Sequence, residues 1–356
     1  MSPVARLLAC LLPALLAHAA LRAQATVSIP CAADNTLYED LSGGISNGAG
    51  VGVFVGNNAF GRIRRAVLRF DVAAALPPGS RVLAAQIALT ASQSTVGAAL
   101  TVTGHRVLAS WGEGTSVAGS GGGGGAPSTT GDATWAHGFF PTQPWAAPGG
   151  DFATTPSFTA AMPPLGAFTT DLSAQAAADV QDWLAQPASN HGWLLKLADE
   201  VPFSTAHRIN SREAASGNPV LLVTYLGPGA TGTWGTGCPS GLIGQVATAA
   251  WTTPPVGGTT LTITKSQTIS NSVGVDLFSL ALDPVGTLLA PGCRLYLPLA
   301  FSITGNTFFT DVSGAGSSTL FLPAGYPGYL LHCQSAVLAG TPLGFVLTNS
   351  ALAVTQ

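Results

Sequence analysis

Apolar residues recur at every second position through much of the chain. From Val82 to Thr90, Leu83, Ala85, Ile87 and Leu89 form one set, and Gln86 and Thr90 lie on the other face. Trp193, Leu195 and Leu197 alternate in the same way around Lys196, as do Leu221, Val223 and Tyr225. A period of two marks strands with one buried face. Val67-Leu68-Arg69-Phe70-Asp71 reads as another strand, closed by the turn-forming Leu76-Pro77-Pro78-Gly79. One segment changes period. Leu172, Ala176, Val180 and Leu184 recur every four residues, Trp183 widens their stripe, Asp171 or Ser173 is placed to cap it, and Pro187 ends it. This predicts a single helix covering the open end or face of a β-sandwich.

The pattern also divides the chain. Gly119 to Gly125 is nearly pure glycine and cannot be a strand, so Thr115 to Gly131 is expected to be a mobile loop. Gly227-Pro228-Gly229-Ala230-Thr231-Gly232 reads as the start of a linker, 227–237. Beyond it the composition shifts. From Cys238 to Gln356 the charged residues are Lys265, Asp276, Asp283, Arg294 and Asp311. Strand-like pieces such as Leu261-Thr262-Ile263-Thr264 and Gly344-Phe345-Val346-Leu347 alternate there with Gly/Pro turns. The expected organisation is all-β, with two β-sandwich domains at 26–226 and 238–356.

Residues 1–25 have the order of an export signal. Arg6 supplies the positive end, Leu7 to Ala20 the apolar stretch, and Ala23-Gln24-Ala25 the small-x-small cleavage site. The apolar stretch is too short to span a bilayer, and no later run reaches the ~18 apolar residues that a membrane helix needs. The expected location is therefore extracellular or at the cell surface, with no transmembrane segment. Composition agrees with a β-protein of this kind: 8% of residues are charged, and 44 are Gly and 25 Pro. Low charge with positive hydropathy excludes disorder. A formal net charge of −3, with Lys196 and Lys265 the only lysines, gives nucleic acid no electrostatic footing. After export Cys31, Cys238, Cys293 and Cys333 would remain in an oxidising compartment, and four cysteines allow three pairings. The crowding of Cys238, Cys293 and Cys333 in the last third favours one bridge there, Cys293 with Cys333 or Cys238.

Several motifs appear in a fixed order. They are Ala33-Asp34-Asn35-Thr36-Leu37-Tyr38, Arg65-Ala66-Val67-Leu68-Arg69-Phe70-Asp71, Trp111-Gly112-Glu113-Gly114, Val180-Gln181-Asp182-Trp183-Leu184 with Asn190-His191-Gly192-Trp193-Leu194-Leu195, and Ser211-Arg212-Glu213 before Pro219-Val220-Leu221-Leu222-Val223-Thr224-Tyr225. Over Asp34 to Tyr225 the chain resembles the DNRLRE domain, a group similar to carbohydrate-binding module family 96. The resemblance implies a jelly-roll-like sandwich on exported bacterial proteins, with some members binding acidic polysaccharides such as alginate. The final domain looks like a C-terminal module of secreted planctomycete-type proteins.

The candidate chemistry is that of a glycan surface. Trp135, His137, Phe139, Phe140 and Trp145 crowd a Gly/Pro-rich stretch without strand periodicity, and aromatics on loops are the ones available for stacking on sugars. Trp135, Trp145 and His137 are therefore expected to line a binding surface. Trp111, Trp183 and Trp193 lie in patterned segments and are expected in the core. Arg62, Arg64, Arg65 and Arg69 are the one basic concentration; Arg65 and Arg69 either present guanidinium groups to uronate carboxylates or pair with Asp71, Glu113 or Glu213. Arg212-Glu213 reads as a structural pair. Asp34, Glu39 and Asp40 offer oxygens to a structural calcium, but no loop carries spaced acidic ligands, and no metal or cofactor is assigned. No G-x-S-x-G, H-E-x-x-H or P-loop occurs. A lyase or hydrolase would have to gather distant groups such as Glu113 with Asp151, or His105, His137, His191 and His207. The expected partner is a polysaccharide or cell-surface glycan, bound without catalysis; the alternatives are a structural or adhesive envelope protein, and a polysaccharide lyase or hydrolase. The oligomeric state is not written in the chain.

Overall fold

The period-two alternation becomes antiparallel ladders throughout. The computed structural model describes residues 24–119, 121–240, 245–298, 300 and 302–356. The expected export signal lies outside the described residues as far as residue 23. The protein is all-β, with antiparallel sheets arranged as β-sandwiches. No helix among the described residues is long and apolar enough to cross a membrane.

Thr26–Pro78 with Val82–Thr224 forms one compact unit. Its main strands are β1 (Ala25–Tyr38), β2 (Gly52–Asn57), β3 (Ile63–Phe70), β4 (Arg81–Ser94), β5 (Leu100–Arg106), β6 (Phe158–Met162), β7 (Gly166–Thr169), β8 (Trp193–Leu197), β9 (His207–Asn210) and β10 (Val220–Leu226). One layer runs β7-β4-β9-β2 and the other β1-β3-β8-β5-β6. Strand β10 joins β1 to β4, and the β2–β3 hairpin joins the layers again, so six strands form a closed circuit without free edges. Long pairing from Cys31↔Phe70 to Tyr38↔Arg64 holds β1 on β3. Leu68, Trp193 and Leu195 are buried on one face of their layer and Leu37, Val67 and Leu194 on the other, while Ile87 and Leu89 are buried along β4. Tyr225 departs from the expected alternation: it is half-buried, and Leu226 takes the inward place.

The one credible helix is present as α1 (Ala174–Ala185), and Ser173 is its cap, its hydroxyl accepting from the Gln175 N–H. Leu172 falls outside it. The buried face consists of Ala176, Ala177, Asp179, Val180 and Trp183, turned away from Leu184. A buried carboxylate explains the turn. Asp179 accepts from Trp193 Nε1 at 2.9 Å and Ser157 Oγ at 2.5 Å, and Arg106 stands 3.5 Å away. Its partners draw it inward with Trp183, whose ring centroid lies 4.4 Å from that of Trp193.

The glycine-rich stretch is pinned, contrary to the expected mobile loop. Gly122 N–H donates to Gly119 and Gly125 N–H to Gly122; Tyr38 Oη donates to the Gly122 carbonyl at 2.8 Å. Ala126–Pro127 then pairs with Ile45–Ser46. Gly122 has φ +85°, and a Cβ there would meet Phe54 at 3.1 Å, so glycine is needed for close packing and not for freedom.

Tyr225–Gln356 makes up most of the second unit. Here the expected linker needs correction: Thr231–Trp234, inside 227–237, is a strand, β11, paired with Ser350–Ala353. Without periodicity of its own, it takes its conformation from the strand beside it. The other main strands are β12 (Thr248–Trp251), β13 (Thr259–Ser266), β14 (Val273–Ser279), β15 (Ser302–Phe309), β16 (Gly316–Leu322), β17 (Leu330–Leu338), β18 (Phe345–Leu347) and β19 (Ser350–Val354). They form a sheet in the order β11-β19-β17-β14-β15, with β18 on β17, and a three-stranded sheet β12-β13-β16. The disulfide is Cys238–Cys293, and both sulfurs sit in an apolar cluster with Val337 and Leu347. Cys333 is a buried free thiol in the other cluster of this unit, with Trp251 and Phe278, and is therefore not the bridge partner. Lys265 and Asp276 are fully buried as an ion pair at 3.0 Å, with Ser335 donating to Asp276 and the Lys265 ammonium 4.1 Å from the Phe308 ring centroid.

Two predictions follow from packing. Gly192 has φ +77°, and a Cβ would lie 1.9 Å from the Leu68 carbonyl oxygen, whereas a Cβ on Gly97 meets nothing within 4 Å. G192A should lose at least the ~1–2 kcal/mol of a left-handed residue, and G97A far less, by urea denaturation. His332 is buried, its ring bonded to the Ala281 carbonyl and the Ser350 hydroxyl, and burial pulls its pKa from 6.5 down to about 4. The neutral ring therefore contributes stability above pH 6.5 that is lost as pH falls toward 4. Melting curves of H332Q should be flatter than wild type across that window, by a difference on the order of 3 kcal/mol.

Candidate functional site

The indoles do not form an exposed shelf. Trp145 is only 6% exposed and belongs to a core cluster with Leu37, Val67, Trp111 and Leu194, its Nε1 donating to the Thr134 carbonyl. Trp135 is half-buried against the same cluster, and the Arg65 guanidinium covers its ring at 4.9 Å. His137 begins a tight hairpin, 5.4 Å edge-on from Phe140. Lack of periodicity places these side chains on loops, and the loops fold back to bring them onto the sandwich. W145A should accordingly cost the ~3–5 kcal/mol of a buried aromatic; equilibrium denaturation checks this, and an unchanged midpoint would return Trp145 to the surface.

The arginines separate into different roles. Arg65 is engaged: Nε and Nη2 make a bidentate pair with Glu200 at 3.0 and 2.8 Å, and Nη1 donates to the Gly149 carbonyl. Its partner is none of the acids expected from sequence. Arg69 lies over Trp111 at 5.6 Å, beside a cleft of about 320 Å³ lined also by Phe70, Asp71, Pro187 and Asn190. Arg212 pairs with Glu213 as expected, and more closely with Glu113.

A second pocket contains two guanidinium groups. Strand β9 lies between β2 and β4, and register places Arg208 opposite Phe54 on one side and Gln93 on the other. The three side chains therefore share the sheet's outer face, while Val53, Val55 and Ile209 point into the core. The register shifts between Arg208 and Ile209, leaving Ser92 as the extra residue, and its hydroxyl accepts from Arg208 Nε at 2.9 Å. Such bulges re-aim side chains. Gly52 permits this course, since a Cβ there would lie 2.5 Å from Arg208 Cδ. Arg64 enters from the β2–β3 hairpin, stacked on Tyr38 at 4.8 Å, with Nη1 donating to the carbonyls of Glu39, Arg62 and Ile63. Its Nε is buried without a hydrogen-bond partner. Burial pulls its pKa down, against the Coulombic pull of Tyr38, then Asp40 and Glu39. Asn58, Thr95 and Gly123 complete a space of about 210 Å³. Among the described residues no carboxylate lies within ion-pairing distance of Arg64 or Arg208.

Sequence reading missed Arg208. It stands between His207 and Ile209 in a four-residue strand, and only cross-strand register reveals what it faces. Phe54 was hidden too, in an apolar run that reads as core.

The acids offered for calcium are distributed differently from expectation. Glu39 accepts from the Ile63 N–H and Asp40 from Ser42 and Gly43, as turn-forming acceptors. Asp34 meets Glu113 and Glu213 instead. Burial first, then Glu213 and Glu113, push its carboxyl up to about 8, against the Arg212 N–H that lowers it. The groups considered for catalysis are tied locally. His105 bonds the Ala153 carbonyl and Thr103, His207 bonds Thr205 and Ser94, and Asp151 accepts from the Ala146 and Ala147 N–H groups. Burial, followed by Arg69 and Arg106, pulls the His191 pKa down. No family model matches the chain, and no curated protein matches it.

Proposed function

We propose that the protein is an exported, non-catalytic binder of acidic glycans, a β-sandwich in the manner of carbohydrate-binding module family 96. The ligand site is the pocket of Phe54, Arg64, Gln93 and Arg208. One observation carries this reading: two guanidinium groups share a pocket with no carboxylate to pair them. A uronate supplies the missing charge, since a carboxylate accepts the paired N–H groups of a guanidinium fork. Gln93, Asn58 and Thr95 are planar or hydroxylic groups suited to sugar hydroxyls. The volume, about 210 Å³, is below the ~300–1,000 Å³ of drug-sized sites and suits one sugar unit of a longer chain. The pocket is half open, with Gln93 and Thr95 exposed, so a polymer can lie across it.

Isothermal titration of the full chain with a polyuronate and with a neutral glucan tests the proposal. Binding is expected for the polyuronate and should weaken with added salt. R208Q should reduce affinity about 10- to 100-fold, the value of a charged hydrogen bond, while R69A should bind as wild type. Failure to bind any polyuronate, or an R208Q protein that binds as tightly as wild type, overturns it. A structural or adhesive role is the second reading, favoured by the exposed Ile303, Phe309 and Phe321 of the second unit.

A further inference from the structure

Three acidic side chains from distant parts of the first unit meet at one point. Asp34 comes from β1, Glu113 from the loop after β5 and Glu213 from the loop after β9; one carboxylate oxygen of each lies within 4.8 Å of the other two. A single guanidinium serves two of them. Arg212 Nε and Nη2 donate to the two oxygens of Glu113 at 2.5 and 2.8 Å, and Nε lies 2.9 Å from Glu213 Oε1. The backbone adds two bonds, Arg212 N–H to Asp34 Oδ2 at 2.7 Å and Asp34 N–H to Glu113 Oε1 at 2.9 Å. After all of these, Asp34 Oδ1 and Glu213 Oε2 remain buried without a hydrogen-bond partner. Asp34 is 0% exposed. Buried oxygens of this kind are stable only when something positive or hydrogen-donating faces them.

The chemistry of the donors selects the occupant. All are carboxylate oxygens, hard ligands that suit calcium, and the group contains no imidazole. Exposure is graded across the cluster: the side chains of Glu113 and Glu213 are 19% and 23% accessible, so an ion enters from the glutamate side and keeps water there. A divalent ion would take the place of the proton that burial holds on Asp34, and with Arg212 it would balance the three carboxylates.

We propose that Asp34, Glu113 and Glu213 bind one divalent cation of calcium's class, with Asp34 Oδ1 and Glu213 Oε2 as its buried protein ligands. The ion clamps the first strand to the two loops that close the unit. It stands apart from the Arg64–Arg208 pocket and does not depend on the glycan reading.

The full chain, stripped with a chelator and dialysed, is titrated with Ca²⁺ alone, with Mg²⁺ in parallel, by calorimetry and melting temperature. The expected result is one Ca²⁺ per chain, with Kd on the order of 0.1–1 mM as in extracellular calcium modules. The melting temperature should rise by several degrees at saturating Ca²⁺ and little with Mg²⁺. E213Q, an isosteric change at a partly exposed position, should weaken binding at least about tenfold; D34N should do the same if it folds. No Ca²⁺-dependent shift in wild type, an equal shift with Mg²⁺, or a folded E213Q chain that binds Ca²⁺ as wild type would each overturn the proposal.

Discussion

The register of β9 between β2 and β4 is the constraint on which the rest of the first unit's chemistry depends. Pleating sends His207 and Ile209 inward, and so sends Arg208 outward between Phe54 and Gln93. A slip of one residue would bury a guanidinium and expose Ile209, an exchange that the apolar core forbids. The bulge at Ser92 absorbs the mismatch and gives Arg208 Nε an acceptor, and Arg208 lines the pocket. The hydrophobic force that fixes the sheet thus also aims the charge.

Charge is scarce in this chain, with 13 basic and 16 acidic residues among 356, so its local imbalances carry information. Most charged groups with structural duties are matched: Arg65 with Glu200, Arg106 with Asp182, Lys265 with Asp276. Two places are not. Three carboxylates share Arg212 at one, and two guanidinium groups lack a carboxylate at the other. A folding requirement alone would favour neutral residues at both, because buried unpaired charge costs far more than it contributes. Opposite imbalances on one sandwich are what the two proposals rest on, a cation held for structure at one and an anion recognised at the other.

Much of the fold was legible because strand and helix periods are local properties. Leu83 to Leu89 and Trp193 to Leu197 announce their buried faces, and Ser173 announces the helix start. The candidate site was less legible, since it is made by contacts between segments. Trp145 looked available for stacking because no period surrounds it, yet burial follows from where the loop returns. Thr231–Trp234 looked like linker and became a strand because Ser350–Ala353 offered an edge. The glycine run suggested mobility, whereas its residues are there to let backbone approach Phe54 and Tyr38. Composition distinguishes glycine for freedom from glycine for closeness only when the neighbour is known.

Arg64 explains why such a pocket would select charge before shape. Its guanidinium is stacked on Tyr38, its Nη1 is shared among three carbonyls, and its Nε is buried with no partner, so the folded protein already bears the cost of desolvating the cation. A neutral sugar offers hydroxyl dipoles, which return little of that energy. A carboxylate returns a Coulombic interaction strengthened by the low local polarity around Tyr38 and Phe54. On the proposed reading, a preference for an acidic ligand would come from the cost already borne by the unliganded site, and it would grow with the burial of Arg64 rather than with the number of contacts a ligand makes.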